Sequence, residues 1–335
     1  MSLAKKRGIG MATVFYGTGY GNGFPDVSQA YVELSPRGTA TVCTAAVDCG
    51  QGSSTVFAII AAEVLGLQVA DIMVMAADTD TTPDTGTTAA TRQTYNTGNA
   101  VRLASLEALR PLLHLAQQKL GVNTVEGLTA RDGHIEVKHY PRQRIKLSEL
   151  VLMAEELGVM KRGEATFIAH TTSLDPETGQ GAPYWPYAFA THIAEVEVNT
   201  ETGSVEVLKM VAAHDVGRAI NCAGVEGQIE GALAQGLGFA LMEEVVLVQG
   251  QMQNASFTKY LIPTAMDVPD VQAIIVETHE PSGPFGAKGV GEPALIPVAP
   301  AILNAIYDAV GVRMTSLPVT AEKLLSALHS AVRTA

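Results

Sequence analysis

The feature that most constrains this chain is a grammar of elements that occurs twice. Residues 30–48, "AYVELSPRGTATVCTAAVD", read as two strands joined by a Pro-Arg-Gly turn. A glycine-glutamine loop, "CGQG", follows, and "STVFAIIAAEVLGL" then reads as an apolar helix with Ser at the cap position and a stop at Gly66. Further on, "ATHIAEVEVNTETGSVEVLKMVAAHDVG" repeats the order strand, Gly-containing hairpin, strand, polar loop. It too leads into a glycine- and glutamine-rich helix, "GVEGQIEGALAQGLGFALMEE". This is a weak internal repeat, and it predicts an α+β fold of two lobes with mixed sheets and helices. The Pro/Gly-rich connection at 172–188 divides them into lobes 1–171 and 172–335.

The remaining elements fill in that plan. An Ala/Asp/Thr-rich loop, "AADTDTTPDTGTTAATRQTYNTGNAV", offers hydroxyls and backbone amides. A helix is expected from about Thr97, interrupted at Pro111, and a terminal amphipathic helix, "AILNAIYDAVGV", ends at Gly311. "GTGYGNG" (17–23) lacks the strand-to-helix context of a dinucleotide loop and reads as a flexible turn. "GPFGAKG" (283–289) has a phosphate-loop lysine without the spacing or the following Ser/Thr.

Composition excludes several classes. A net charge of -12 and the lack of a basic stripe argue against nucleic acid or an anionic membrane as partner. Three cysteines (Cys43, Cys49, Cys222) are too few for a disulfide framework or a four-thiolate metal site, so a reducing, cytoplasmic location is expected. The N-terminal segment does not read as a signal peptide, and no stretch is expected to span a membrane. The eight histidines show no metal spacing, and His214-Asp215 at a strand end reads as a structural hydrogen-bonding pair.

Two places remain as candidate chemistry. On the helix from about Val225, Gln228, Gly231 and Gln235 form one stripe opposite Ile229, Leu233 and Leu237. Spacing alone favours a small-residue face packed on another element; the alternative is a glutamine carboxamide facing a heterocyclic ligand. In "GAKGVGEPALIP", Glu292 is a lone carboxylate between glycines and prolines, with Lys288 four residues before it. It reads equally as the cap of a turn starting at Pro293 or as a general base.

Taken in order, "CGQGSST", "GTTAATRQT", "HDVGRAIN", "GQIEGALAQGLG", "YLIPTAMDVP" and "GAKGVGEP" resemble the molybdenum hydroxylase family, the xanthine dehydrogenase and aldehyde oxidase group. The resemblance covers the chain from about Gly8 to Leu328, and only the second half of the family's molybdenum-binding region. It implies that Glu292 is the catalytic base. It also implies that Gly50, Gln51, Gly52, Thr88, Ala90, Thr91, Arg92, Gln93 and Gln228 contact the cofactor, with Lys288 close by. The Ala90 amide would face molybdenum, which the pterin holds without a protein side chain. The implied cofactor is molybdopterin, in its cytosine dinucleotide form, with molybdenum. The glycines of "GAKGVGEP" would let the backbone approach it.

The family's Gly-Gly-Phe-Gly and Arg-Gly-Phe-Gly loops, iron–sulfur cysteines and flavin domain have no counterpart here. The layout is similar to the medium molybdopterin subunit of split bacterial enzymes such as nicotinate dehydrogenase. A second molybdopterin-binding subunit, a [2Fe-2S] subunit and an FAD subunit are therefore implied as partners. The implied reaction is hydroxylation of an sp2 carbon of an N-heterocycle, a purine or pyridine carboxylate, with water as oxygen source. Aldehyde oxidation, and a cofactor scaffold without a catalytic residue, are the alternatives.

Overall fold

A computed structural model describes residues 4–21, 24–76 and 78–334. Thirteen strands and six helices are defined among them. They run β1 (Lys5–Gly17), β2 (Val27–Leu34), β3 (Ala40–Thr44), α1 (Ser53–Leu65), β4 (Ile72–Ala76) and α2 (Asn96–Leu120). A small antiparallel sheet, β5 (Leu128–Arg131), β6 (His134–Val137) and β7 (Tyr140–Lys146), precedes α3 (Leu147–Glu156) and β8 (Arg162–Ile168). Then come β9 (Tyr187–Asn199), β10 (Val205–Asp215), α4 (Cys222–Leu241), the short hairpin β11 (Leu247–Val248) and β12 (Gln251–Met252), β13 (Asp270–Val276), α5 (Val298–Val310) and α6 (Ala321–Thr334).

The repeat is far clearer in space than in sequence. One sheet has the order β4-β3-β2-β8, the other β13-β10-β9-β1. In each, an antiparallel hairpin (β2–β3, β9–β10) leads through a helix (α1, α4) to a parallel strand (β4, β13). In each, an antiparallel strand closes the other edge: β8 beside β2, β1 beside β9. Strand β1 belongs to residues 1–171 by position, yet it fills in the second sheet the place that β8 fills in the first. The division at residue 171 is therefore crossed by one strand.

Glycine makes the matching helix-on-sheet contacts possible. A Cβ on Gly163 of β8 would lie 2.2 Å from Ala104 O on α2; one on Gly10 of β1 would lie 2.1 Å from Ala305 N on α5. Only a residue without Cβ lets helix backbone approach a strand so closely. Two apolar cores result, one around Phe57, Ile60, Val101 and Leu112, the other around Ile229, Leu233, Ile302 and Ile306. Each such side chain contributes about 1.5–3 kcal/mol by leaving water.

Several expectations need correction. Helix α2 continues through Pro111, because its buried stripe Ala104, Ala108, Leu112, Leu115 is unbroken there and only one backbone donor is lost. No serine caps α1: Gly52 occupies the cap position at φ 79°, and Asp48 accepts the Ser54 N–H instead. Helix α4 starts at Cys222, since Asn221 Oδ1 accepts the Gly224 N–H at 3.1 Å. The 17–21 part of "GTGYGNG" is closely packed, Gly17 and Gly21 against Tyr184 and Gly19 against Asp26; Asn22, Gly23 and Ala77 of the loop at 76–101 lie outside the described residues. One helical run, Glu292–Val310, does have the length and hydropathy of a membrane span, contrary to expectation. It joins a 3-10 turn to α5, whose buried stripe Val298, Ala301, Ile302, Ala305 and Ile306 belongs to the second core.

Candidate active site

Three loops and two helices converge between the two cores: the loop after β3, the loop before α2, the segment before α5, the start of α1, and α4. They enclose a cleft of about 210 Å³ lined by Cys49, Gln51, Ser53, Val56, Thr88 to Thr94, Gln228 and Gly289 to Glu292. Of the residues implied by the resemblance, Gln51, Thr88, Ala90, Thr91, Arg92, Gln93, Gln228 and Glu292 line it. Gly52 and Lys288 line an adjoining cavity of about 50 Å³ that shares Gln51 and Gln228. Gly50 lines neither; at φ 109° it serves the turn.

The loop after β3 is held by Asp48. Its Oδ1 accepts the Gly50 and Gly52 N–H groups at 3.0 and 3.2 Å, and Oδ2 the Ser54 N–H at 3.0 Å. Partial burial disfavours the carboxylate, but these amide donors prevail and hold its pKa below the usual value. The Gln51 carboxamide is largely engaged within this loop. It donates to Val47 O at 2.8 Å and Ser53 Oγ at 3.0 Å, and accepts from Cys49 N at 2.7 Å. Gln228 has no hydrogen-bond partner for its side chain among the described residues, and Gly227 and Gly231 beside it have open space where a Cβ would stand. Gln235 and Gly231 are exposed, while Ile229, Leu233 and Leu237 are buried. The glutamine stripe is thus not packed on another element of this chain.

The loop before α2 is built around Arg92, which is fully buried. Its five N–H donors are all placed: Nε on Asp26 at 3.0 Å, Nη1 on Thr85 O and Thr87 O, Nη2 on Val27 O and Ser28 Oγ. Arg92 therefore shapes the loop and has no donor left for a ligand. Gln93 likewise donates to Thr88 Oγ1 at 3.1 Å, and Thr88 Oγ1 accepts from Val47 N at 3.0 Å, tying this loop to the one after β3. At its tip Ala90 and Thr91 are both left-handed, φ 56° and 57°. Two consecutive non-glycine residues in this region cost about 1–2 kcal/mol each. Neither N–H donates to another group among the described residues, whereas Ala90 O accepts from Gly19 N at 3.1 Å.

Glu292 opens a 3-10 turn, with Pro293 next, at the mouth of the cleft. Its N–H donates to Thr91 Oγ1 at 3.1 Å, and Thr91 Oγ1 in turn reaches Glu292 Oε2 at 3.3 Å. Tyr16 on β1 also hydrogen-bonds Oε2, leaving Oε1 without a partner among the described residues. A glycine three residues earlier answers to the same neighbour: a Cβ on Gly289 would sit 2.1 Å from Thr91 O. That glycine thus serves loop-to-loop contact while also lining the cleft. Lys288 turns away. It is buried against Asp215 Oδ2 at 2.7 Å and Tyr187 O at 3.0 Å, and it makes no contact with Glu292. His214 pairs with His192, Nε2 to Nε2 at 2.7 Å, in the core. Burial pushes both imidazoles down, to about 4 for His214 and about 3 for His192, so both are neutral at pH 7.

Tyr16, Asp48 and Asp26 escaped the sequence reading. Only Asp48, directly before "CGQG", carried a local signal, that of an acid ahead of a helix start.

The cleft suits a large polar group. It offers the unpartnered amides of Ala90 and Thr91 and the free Gln228 carboxamide. Among the described residues no cluster of three His, Cys, Asp or Glu could ligate a metal.

Comparison with known proteins agrees. The molybdopterin cofactor-binding domain model matches residues 2–269. The xanthine dehydrogenase molybdenum-binding subunit of Escherichia coli O157:H7 is 32% identical over 97% of this chain and 42% of its own length. The aldehyde oxidoreductase of Megalodesulfovibrio gigas is 34% identical over 97% of this chain and 33% of its own. The crystal structure of quinoline 2-oxidoreductase from Pseudomonas putida 86 superimposes with a TM-score of 0.87 at 29% identity, covering 97% of this chain and 42% of that one. This chain thus spans less than half the length of these relatives, and it belongs to the molybdopterin cofactor-binding domain family of xanthine dehydrogenase-type proteins.

Proposed function

We propose that this chain supplies the catalytic carboxylate and one wall of the cofactor site of a molybdenum hydroxylase acting on an sp2 carbon of an N-heterocycle. One observation carries this: Gln51, Ala90, Thr91, Gln228 and Glu292, scattered over the sequence, line a single cleft. Molybdopterin, in its cytosine dinucleotide form, would rest on the Ala90–Thr91 amides and the Gln228 carboxamide, with Gln51 as part of the wall. When bound, it supplies the oxygen-transfer and electron-accepting chemistry.

The chain's own part is positioning and proton transfer. The two hydroxyls of Tyr16 and Thr91 fix one oxygen of Glu292, so Oε1 is left free to act as a base at the cleft that Glu292 lines. The Lys288–Asp215 pair and Arg92 hold the surrounding loops. A pure scaffold would not need a carboxylate so tethered.

The xanthine- and quinoline-named relatives favour a purine or pyridine-type substrate. A second reading, aldehyde oxidation, is favoured by the aldehyde oxidoreductase at 34% identity. The assembly would be cytoplasmic and include a second molybdopterin-binding subunit with [2Fe-2S] and FAD subunits. The test is molybdenum content. Purified alone, the chain should hold under a tenth of the molybdenum found per chain in the assembled enzyme; full loading and turnover without partners would refute the shared site.

A further inference from the structure

The sheet β13-β10-β9-β1 is covered on one face by α4 and α5. Its other face is open and, on either side of a Thr13–Thr191 pair, apolar. Met11 stands opposite Ile193 and Phe15 opposite Phe189, with Ile274 and Val276 on the adjoining edge. Exposure is 57% for Met11, 66% for Phe15 and 49% for Phe189. The repeat provides an internal control. The matching face of β2 and β8 pairs Gln29 with Thr166, Tyr31 with Glu164 and Glu33 with Arg162, with Val27 opposite Ile168 at its end. One plan thus carries a more polar outer face in one lobe and a more apolar one in the other, so pairs such as Met11–Ile193 and Phe15–Phe189 do not follow from the fold. A patch of this kind marks an interaction surface.

From this we infer that the open face of β13-β10-β9-β1 is the docking surface for the polypeptide matching the part of the relatives' length that this chain does not span. The inference rests on the proposed shared site and deepens it.

Continuity argues for that occupant. Phe15 stacks on Tyr187 at 4.4 Å, the Tyr187 carbonyl accepts from Lys288 Nζ, and that ammonium lies 5.8 Å from the Phe189 ring centroid, so this end of the face touches the segment that carries Glu292. A body seated at this end of the face would lie beside the segment that carries Glu292, where the second wall is needed. The relatives carry that additional length in the same chain as the portion matched here, more than half of the xanthine dehydrogenase subunit. At the far end of the face Lys5 and Arg7 are already paired with Glu197 and Glu195, so the recognition is apolar and lies toward the site. The net charge of -12 disfavours a second copy of the chain or an anionic membrane as occupant.

The test places p-benzoylphenylalanine at Phe15, and separately at Tyr31 on the matching polar face, in cells producing the whole enzyme. After irradiation the adducts are sequenced by mass spectrometry, and molybdenum is measured in the purified complex. Expected is an adduct from position 15, absent from position 31, whose sequence aligns with the uncovered part of the xanthine dehydrogenase subunit. Ile193→Glu should lower retention of that companion at least tenfold while circular dichroism of the chain is unchanged. Adducts with a second copy, with an iron–sulfur or flavin subunit, or none from a molybdenum-loaded complex would overturn the inference. A companion captured at position 15 in a complex without molybdenum would leave the surface standing and sink the proposed function.

Discussion

Replacing Arg92 tests how the cofactor loop is held. The guanidinium and Asp26 are 0% and 1% exposed, and their 3.0 Å contact is one of five hydrogen bonds made by this side chain. Arg92→Met fills much of the volume but leaves the Asp26 carboxylate buried without its cation. Breaking a buried pair on one side costs about 3–5 kcal/mol. Thr85 O and Val27 O lose donors as well, so the upper half of that range applies. Against a total stability of about 5–15 kcal/mol this is severe. Arg92→Lys keeps the charge but has three donors for five acceptors, and should cost about 1–3 kcal/mol. The assay is urea unfolding of the chain followed by circular dichroism. Arg110→Ala, which removes an exposed pair with Glu107, serves as control and should cost less than about 1 kcal/mol. A loss under about 1 kcal/mol for Arg92→Met would show that the network does not hold the loop.

Two further perturbations probe the interior and the site. His192 and His214 have folded pKa values lowered to about 3 and about 4, so the unfolded chain takes up protons first as pH falls below about 6.5. Their contribution is whole above pH 6.5 and is lost toward pH 4 and 3, about 2 kcal/mol per histidine between pH 6.5 and 5; a His192→Gln/His214→Gln chain whose unfolding free energy keeps the same slope there would contradict this. Tyr16→Phe removes one of two hydroxyls on Glu292 Oε2, and in the assembled enzyme should lower kcat about tenfold with KM little changed; a change confined to KM would reassign Tyr16 to substrate binding.

The fold was legible where one short pattern sufficed. The β2–β3 hairpin, the stop of α1 at Gly66 and the apolar stripe of α4 follow from turn residues and periodicity. The place of β1 was not, because its partner β9 lies more than 170 residues away and alternation names a strand without naming its neighbour. Glu292, Gln51 and Gln228 were visible through local motifs. What those side chains do was not: that Arg92 and Gln51 are engaged internally, that Lys288 turns to Asp215, and that Tyr16 meets Glu292 are facts of tertiary contact. The glycine run before Glu292 shows the same limit. Sequence marks the need for close approach, and only the structure shows that Gly289 approaches Thr91.

The most direct test of the account is Glu292→Gln in the assembled enzyme, with molybdenum content and turnover measured on the same preparation. Gln keeps the size of the side chain and its acceptor toward Tyr16 and Thr91, and removes only the base. The account predicts molybdenum at the wild-type level and kcat lowered at least a thousandfold; molybdenum retained with turnover within tenfold of wild type would contradict it.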